Sequence, residues 1–273
     1  MSDPTRPPGP RIIAVANQKG GVGKTTTTIN LASALAEQGK RILLVDLDPQ
    51  GNASTGLGIE TNARRYSTYD LILGEAPLSD VIQKTDFDGL WISPATTDLS
   101  SADMELVSAE KRTFLLYDAL RQVDIDAWAF DYVLIDCPPS LSLLTINAMV
   151  AAQSVLVPLQ AEFFALEGLS QLMLTIREVR QTANKDLRIE GIVLTMYDVR
   201  NNLSQQVESD ARATLGELVF RTMIPRNVRI SEAPSFALPV LTYDGSSKGA
   251  VAYRHLAREL LARHVPTKTK VAG

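Results

Sequence analysis

Short apolar runs recur along the chain, separated by longer segments in which apolar residues keep a helical spacing. The first run, RIIAVANQ, leads directly into a glycine-rich loop. We predict seven strands, namely RIIAVANQ, RILLVDLDPQG, GLWISPA, DYVLIDCPPS, QSVLVPLQ, IEGIVLTMYD and LVFRTMIP. Strands that are almost continuously apolar are typical of a parallel sheet that helices cover on both faces.

Helical periodicity fills most segments between these strands. In KTTTTINLASALAEQG, Ile29, Leu31 and Leu35 fall on one side, and Gly39 ends the helix. Further helices are predicted at AEKRTFLLYDALRQV, Leu141–Ala151, Leu166–Thr182, Leu203–Leu215 and about Ala250–His264. The alternation predicts an α/β fold whose mostly parallel, helix-flanked sheet has about seven strands with right-handed crossovers. The glycine-rich loop after the first strand, analysed below, makes this a predicted single-domain P-loop fold.

No repeat, low-complexity tract or linker divides the chain, so residues 11–264 are expected to form one domain. The proline-rich residues 1–10 are expected to form a flexible arm, and residues 265–273 a flexible tail. No apolar run approaches the roughly 20 residues that span a bilayer, so no membrane partner is expected. Residues 1–10 also lack the apolar core of a secretory signal, which favours a cytoplasmic protein.

Composition excludes some kinds of site. The 273 residues contain one cysteine, Cys137, so an internal disulfide and a four-thiolate metal site within one chain are impossible. The formal net charge is −4, so any binding of nucleic acid requires a local basic patch.

The loop NQKGGVGKTTTT is nearly a phosphate-binding loop of the pattern G-x-x-x-x-G-K-[ST]. Gln18 replaces the first glycine, and Lys19 follows it. Lys24 is predicted to reach the β- and γ-phosphates of ATP, Thr25 to ligate Mg²⁺ and Thr26 to contact the α-phosphate. The predicted cofactor-binding residues in the loop are Lys19, Gly20, Gly21, Val22, Gly23, Lys24, Thr25 and Thr26.

Carboxylates follow two of the predicted strands. Asp136 ends YVLI in the manner of a Walker B aspartate, and Asp46 and Asp48 follow RILLV. Because the carboxyl ends of parallel strands share one crevice, these groups are expected beside the phosphate loop. A carboxylate near the γ-phosphate can orient the attacking water, although Asp46 or Asp48 alone is also compatible with a simple turn.

Six segments together resemble the ParA/Soj branch of the deviant-Walker ATPases. They are KGGVGKT, LLVDLDPQGN, VLIDCPP, FFALEGLSQL, GIVLTMYD and IPRNVRISEAPS, and the resemblance runs from about Ile12 to Leu261. It implies a DNA-partitioning ATPase that forms a sandwich homodimer when ATP is bound. That dimer is expected to bind double-stranded DNA nonspecifically at the nucleoid, and a ParB-type centromere-binding protein is expected to stimulate hydrolysis.

The resemblance also implies roles for individual residues. Lys19 would reach the partner's nucleotide across the dimer, unless it is a surface lysine, and with Lys24 and Asp48 it forms the predicted catalytic set. Asp48 would position the attacking water, whereas Thr25, Asp46 and Asp136 form the predicted metal site. Asp136 would hold the metal through water or orient Thr25. Pro225 and Asn227 are predicted to contact adenine, although Pro225 is equally compatible with a strand terminator.

A basic segment lies near the end of the chain. From Arg221 to Arg263 there are seven Lys and Arg against three Asp and Glu, so this segment is +4 while the remainder is −8. The resemblance places DNA-binding arginines at Arg200 and Arg229. We add Arg226 and Lys248 on charge alone.

Rival functions share parts of this pattern. A ParA-like paralogue that positions another cargo, such as a chemoreceptor cluster, would have the same fold and chemistry. A P-loop small-molecule synthetase of the dethiobiotin type is the main enzyme rival, and it would need neither DNA nor a protein partner for turnover. A MinD-like membrane cycle is disfavoured because HVPTKTKVAG lacks large apolar residues and contains a proline.

Overall fold

The computed structural model describes residues 9–106, 111–122, 125, 128–162 and 165–264. Most of the predicted arm and the whole predicted tail therefore lie outside the described residues. Among the described residues, no helix is both long and apolar enough to cross a membrane.

The described residues form a seven-stranded sheet in the order β3-β4-β2-β5-β1-β6-β7. The strands are β1 Arg11–Val15, β2 Ile42–Asp46, β3 Gln83–Lys84, β4 Leu90–Ser93, β5 Tyr132–Asp136, β6 Ser154–Gln160 and β7 Arg188–Thr195. Every paired strand is parallel to its neighbour except β3, which pairs antiparallel with β4. The predicted α/β class and mostly parallel sheet are confirmed.

Helices cover both faces of the sheet. They are α1 Lys24–Glu37, α2 Asn52–Gly56, α3 Thr68–Leu73, α4 Leu78–Val81, α5 Leu99–Glu105, α6 Leu115–Ala119, α7 Leu143–Ala151, α8 Ala165–Thr182, α9 Asn202–Leu215, α10 Val228–Glu232, α11 Val240–Tyr243 and α12 Lys248–His264. Part of the predicted helix AEKRTFLLYDALRQV lies outside the described residues, and its described part forms only the short α6.

One predicted strand is wrong. LVFRTMIP makes only isolated bridges, Ile192 with Val219 and Tyr197 with Pro225. The amides of Arg221 and Thr222 instead donate to the Glu259 carboxylate on α12, at 2.8 and 2.9 Å. A segment whose central amides bond to a helix cannot continue a ladder with β7. The seventh strand is instead β3, which has two residues and no apolar signal.

Alternating residues of β1 divide the core into two layers. Ile12 and Ala14 face the layer that includes α7 and α8, whereas Ile13 and Val15 face the layer built from α1 and α12. The carboxyl ends of the central strands come level, since Asp136 lies opposite both Val15 of β1 and Asp46 of β2. The crevice at this carboxyl edge receives the glycine-rich loop and the two aspartates.

Candidate functional site

The glycine-rich loop joins the carboxyl end of β1 to the start of α1. Gly21 and Gly23 have φ of 74° and 86°, a left-handed conformation that glycine adopts without the strain of a Cβ. Gly23 is the N-cap of α1, and no side chain caps the helix. Uncapped amides and the positive end of the helix dipole form an anion site. The loop geometry therefore suits a phosphate.

Lys24 is the buried cation of this site. It is 6% exposed, and its Nζ donates to the Lys19 carbonyl oxygen at 3.0 Å. Burial lowers the pKa of Lys24, and the charges of Asp136 and Asp48 oppose that effect. A buried ammonium near carboxylates can balance the charge of a phosphate without rearrangement of the loop.

Asp136 is fully buried and only partly partnered. Its Oδ1 accepts a hydrogen bond from Thr28 Oγ1 at 2.9 Å, and the Thr25 side chain is near enough to act against the rise in the pKa of this carboxyl. Its Oδ2 has no hydrogen-bond partner among the described residues. Burial raises the pKa of Asp136, and the charge of Asp46 raises it further. An unpartnered buried oxygen next to Thr25 fits a hard cation or its bound water.

Asp46 is also fully buried, but its oxygens are already occupied. Oδ2 accepts from the Ser54 amide at 2.8 Å and from Ser54 Oγ at 2.6 Å. Oδ1 accepts from the Asp48 amide at 3.3 Å. Burial raises the pKa of Asp46, and these hydrogen bonds oppose the rise. Of the two fully buried aspartates, Asp136 is the one with an oxygen that has no hydrogen-bond partner among the described residues and is therefore available to a metal.

Asp48 lies at the start of a tight turn and is 8% exposed. Its Oδ1 accepts from the Gln50 amide at 3.0 Å, and its carbonyl oxygen accepts from the Gly51 amide at 2.9 Å. No group of three or more His, Cys, Asp or Glu side chains within the described ranges is arranged to hold a metal. Mg²⁺ binding through one or two carboxylates, a hydroxyl and phosphate oxygens needs no such group.

Lys19 differs sharply from Lys24. Its side chain is 44% exposed, and its Nζ forms an ion pair with Glu162, just beyond the end of β6. Its backbone amide donates to Asn17 Oδ1 at 3.0 Å. The Lys19 ammonium therefore lies beside the loop and not within it.

A cavity of about 270 Å³ opens next to the loop. Its lining includes Gly23, Thr26, Met196 and the predicted adenine contacts Pro225 and Asn227. The structure thus brings both predicted contacts close to the phosphate loop. Asn227 Oδ1 also caps α10 by accepting from the Arg229 amide at 2.9 Å.

Sequence reasoning missed the residues that connect this cavity to β7. Thr195 Oγ1 donates to the Val22 carbonyl oxygen at 2.8 Å, which ties the end of β7 to the phosphate loop. Met196 follows with a left-handed φ of 51° and lines the cavity. Both residues lie in GIVLTMYD, one of the six segments that carry the resemblance, but no role was predicted for either.

The predicted DNA-binding residues lie on the surface, and two of them have acidic partners. Arg200 Nε and Nη2 bond to the two oxygens of Asp198, each at 3.1 Å, and the Arg200 side chain is 87% exposed. Arg229 contacts Glu232 at 2.9 Å and Asp244 at 3.3 Å.

The other two predicted DNA contacts lie close to these arginines. The charge of Arg226 acts on Asp198, the partner of Arg200. Lys248 lines a groove of about 620 Å³ together with Val199, which precedes Arg200 in the chain. The fold therefore gathers the four predicted residues from three separate segments onto neighbouring surfaces.

Comparisons with known proteins identify the family to which the chain belongs. A family model described as an AAA domain, AAA_31, matches residues 10–189. The chromosome partitioning protein ParA of Caulobacter vibrioides (strain NA1000 / CB15N) is 56% identical over 262 residues, covering 96% of this chain and 98% of that protein. The sporulation initiation inhibitor protein Soj of Bacillus subtilis (strain 168) is 50% identical over 252 residues, covering 92% of this chain and 98% of that protein.

A solved structure is similar over the same length. Cobyrinic acid a,c-diamide synthase from Mycobacterium smegmatis, with a bound ATP analogue and magnesium, has a TM-score of 0.80 at 42% identity, covering 93% of this chain and 95% of that one. The ParA and Soj proteins have the higher identities to this chain, at 56% and 50% against 42% for the synthase. The chain belongs to the ParA/Soj family of chromosome-partitioning ATPases.

Proposed function

We propose that this protein is an ATP-dependent DNA-partitioning ATPase. ATP with Mg²⁺ drives formation of a sandwich dimer, and the dimer binds double-stranded DNA without sequence preference at the nucleoid. A ParB-type partner then stimulates hydrolysis, and the cycle segregates a chromosome or plasmid. The names of the curated relatives support chromosome partitioning over the positioning of another cargo.

The contrast between Lys19 and Lys24 is the observation that carries this proposal. Lys24 is buried in the loop, where it is placed to serve the chain's own β- and γ-phosphates. The Lys19 ammonium is about half exposed beside the loop and pairs with Glu162, and from there it would be open to a second subunit. A cation supplied in trans offsets phosphate charge only when two subunits meet, so ATP binding and dimerisation become coupled.

The remaining residues divide the chemistry of hydrolysis. The loop amides and Lys24 would hold the triphosphate, and Pro225 and Asn227 would contact the base. Thr25 and Asp136 would hold Mg²⁺. Asp46, whose oxygens accept from Ser54 and from the Asp48 amide, would lie near the metal or its water shell. The bound metal would neutralise charge on the β- and γ-phosphates. Asp48 would orient the attacking water at the γ-phosphate.

The acidic partners of Arg200 and Arg229 suit a weak patch on each monomer. A phosphate group must compete with Asp198, Glu232 and Asp244 for these guanidinium groups. Two patches in one dimer bind more strongly than either alone, because affinity for DNA rises with the number of phosphates contacted. DNA binding would then depend on ATP.

Sedimentation of Lys19→Ala with a slowly hydrolysed ATP analogue tests the coupling. We expect ATP to bind but the dimer to fail, since each dimer loses two charge-assisted contacts of roughly 1.5–3 kcal/mol. That loss corresponds to about two to four decades in dimer affinity. Lys40→Ala, at a surface lysine paired with Asp131, is the matched control and should dimerise normally. A Lys19→Ala protein that dimerises as the wild type does would make Lys19 a surface lysine.

DNA binding by the ATP-bound protein tests the second half of the proposal. Arg229→Glu should keep ATP binding and dimerisation but lose affinity for all DNA sequences, because phosphate contacts carry no base information. The wild-type affinity should fall as salt concentration rises. Salt-insensitive binding, or unchanged binding by Arg229→Glu, would contradict the proposed surface.

The Mycobacterium smegmatis synthase favours a small-molecule synthetase as a second candidate function. A synthetase should turn over with its small substrate alone, whereas a partitioning ATPase should respond to DNA and a protein partner. ATP turnover measured with plain DNA and an added ParB-type protein separates the two. Turnover that ignores both, but requires a small carboxylic acid and an amide donor, would favour the synthetase.

A further inference from the structure

A buried arginine that no motif marks lies beside the proposed nucleotide site. Arg64 is only 9% exposed and follows the 3₁₀ turn at 61–63. The charge of Asp46 is close enough to act on the Arg64 guanidinium. Burying a cation is costly unless its N–H groups are partnered, so its partners indicate what it does.

The guanidinium joins three separate pieces of backbone or side chain. Nη1 donates to the Ala95 carbonyl oxygen at 2.8 Å. Nε and Nη2 donate to the Ile59 carbonyl oxygen at 3.1 and 2.7 Å. Nη2 also donates to Thr55 Oγ1 on α2 at 2.8 Å. A planar fork reaches acceptors in several directions at once, which a lysine ammonium on the same stem cannot reproduce.

The same group packs directly against the turn that carries Asp48. A Cβ added to Gly51 would lie 2.5 Å from Arg64 Nη1, so the guanidinium occupies the space beside the Gly51 backbone. Gly51 has a left-handed φ of 61° and donates its amide to the Asp48 carbonyl oxygen at 2.9 Å. Arg64 therefore supports the far end of the Asp48–Gly51 turn.

The near end of the turn is held by Asp46. Its Oδ1 accepts from the Asp48 amide, and its Oδ2 accepts from Ser54 of α2. Ser54 Oγ in turn accepts from the Ala95 amide at 2.9 Å, and Ala95 is the residue whose carbonyl oxygen Arg64 holds. The turn is thus held between Asp46 and Arg64. Both are linked to Ala95, since Arg64 donates to its carbonyl oxygen and Ser54, the partner of Asp46, accepts from its amide.

We propose that Arg64 is a positioning residue for hydrolysis, which holds the Asp48–Gly51 turn so that the Asp48 carboxylate faces the attacking water. The inference rests on the proposed ATPase function and on the role proposed for Asp48. It predicts that loss of the guanidinium fork slows hydrolysis without weakening ATP binding, because the hydrogen bonds of Arg64 go to Ile59, Ala95 and Thr55 and, among the described residues, none goes to the phosphate loop.

The test compares Arg64→Lys with Arg65→Lys. Arg65 is the exposed neighbour, whose guanidinium lies 5.3 Å from the Tyr66 ring. We expect Arg64→Lys to lower kcat at least about tenfold, because a misplacement of about 1 Å can cost roughly 100-fold. Its ATP affinity should stay within about twofold of wild type, and its ATP-bound dimer should persist longer. Arg65→Lys should behave as wild type in all three measurements.

Thr55 offers a milder variant if Arg64→Lys is poorly folded. Thr55 is exposed, and Thr55→Val removes one acceptor of Arg64, whereas Thr55→Ser keeps the hydroxyl. Thr55→Val should lower kcat by about three- to tenfold, as expected for one neutral hydrogen bond, with ATP affinity unchanged. Thr55→Ser should restore the wild-type rate.

Asp48→Ala separates failure of this inference from failure of the proposed function. Slow hydrolysis in Asp48→Ala with wild-type rates in Arg64→Lys and Thr55→Val would overturn the role of Arg64 and leave the function standing. Wild-type hydrolysis in Asp48→Ala would remove the premise. ATP affinity that falls in step with kcat in Arg64→Lys would also overturn the proposal, because Arg64 would then support the whole nucleotide site.

Discussion

Buried carboxylates lie at both ends of the strands, and their surroundings are opposite. We call the end of the sheet where the parallel strands finish the carboxyl edge, and the end where they begin the amino edge. At the carboxyl edge, Asp136 keeps one oxygen without a hydrogen-bond partner among the described residues, and burial raises its pKa. At the amino edge, Glu190 of β7 is also buried, but both its oxygens are bonded. The two residues thus have similar burial and very different partners.

The partners of Glu190 come from the first residues of neighbouring strands and from the end of α12. Oε2 accepts from Arg11 Nη2 at 3.1 Å and from Ser154 Oγ at 2.6 Å. Oε1 bonds to His264 Nε2 at 2.8 Å, and His264 Nδ1 bonds to the Tyr132 hydroxyl at 2.9 Å. Burial alone would raise the pKa of Glu190, but these partners outweigh it and lower the pKa to about 2.

The difference separates a structural carboxylate from one that is prepared for a ligand. A fully partnered buried charge contributes to stability, and removing one partner is expensive. A buried charge that lacks partners costs stability in the empty protein and is retained where a ligand supplies what is missing. We infer that the amino edge stabilises the sheet and that the carboxyl edge is kept for nucleotide and metal.

The largest effect is expected at the amino edge. Glu190→Ala should lower the free energy of unfolding by about 3–5 kcal/mol, because it leaves Arg11 and His264 without their buried partner. ATP affinity, measured at a temperature where the variant is folded, should not change. Glu37→Gln, in a surface pair with Arg254, is the control and should cost no more than ~1 kcal/mol. A variant as stable as wild type would break the comparison at this edge.

At the carboxyl edge the largest effect should be on the ligand and not on the fold. Lys24→Ala should lower ATP affinity by about two to four decades, since it removes charge-assisted contacts to two phosphates worth roughly 1.5–3 kcal/mol each. Thermal unfolding of the empty protein should change little, because the buried ammonium of Lys24 bonds only to a carbonyl oxygen among the described residues. Calorimetric titration measures the ATP affinity, and a melting curve measures the stability of the empty protein. Unchanged ATP affinity would show that the glycine-rich loop does not bind the phosphates.

The contrast also explains what the sequence could reveal. The phosphate loop, Asp46, Asp48 and Asp136 were predicted because each lies at a strand end within a local pattern of strand, turn and helix. The Glu190 network was missed because its members are far apart in sequence, and only the fold brings His264 to Glu190. Arg64 was missed for the same reason, as a single arginine in a polar stretch has no periodicity to mark it.

The errors in the strand assignment have a similar cause. LVFRTMIP is as apolar as a real strand, but Glu259 on α12 captures its central amides, and that contact cannot be read from local composition. β3 has only two residues, Gln83 and Lys84, and owes its pairing to β4. Roles that depend on a second subunit or on DNA remain predictions, because the groups on which Lys19, Arg200 and Arg229 are proposed to act lie outside this chain.

A smaller effect should follow from neutralising Asp136. Asp136→Asn keeps an acceptor for Thr28 and cannot ionise, so above about pH 8, where the Asp136 carboxyl would carry an unpartnered buried charge, the empty protein should become more stable by about 1 kcal/mol. The same variant should lose the dependence of ATP binding on Mg²⁺. Asp186→Asn, at an exposed aspartate, is the control and should change neither property. Destabilisation of the empty protein by Asp136→Asn would show that this carboxylate is structural, like Glu190.

The sharpest form of the comparison is the opposite pH dependence of the two edges. The folded pKa of Asp136 is raised from 3.8 to about 8, so the folded protein binds the proton more tightly than the unfolded chain does. Its contribution to stability should therefore fall as pH rises from about 4 to about 8. The folded pKa of Glu190 is lowered from 4.5 to about 2, so its contribution is present above about 4.5 and is lost as pH falls towards 2.

Charged neighbours also affect how the free energy of unfolding depends on pH at both edges. The test therefore uses the difference in this free energy between wild type and each variant. Asp46, Asp48 and Lys24 act on the carboxyl edge, and Arg11 and His264 act on Glu190. Denaturant unfolding without nucleotide or metal, from pH 3 upwards, should give a difference between wild type and Asp136→Asn that grows as pH rises towards about 8. The difference between wild type and Glu190→Gln should instead shrink as pH falls below about 4.5. If both differences changed with pH in the same direction, both carboxylates would contribute to stability in the same way. The carboxyl edge would then not be distinguished as a site left open for a ligand.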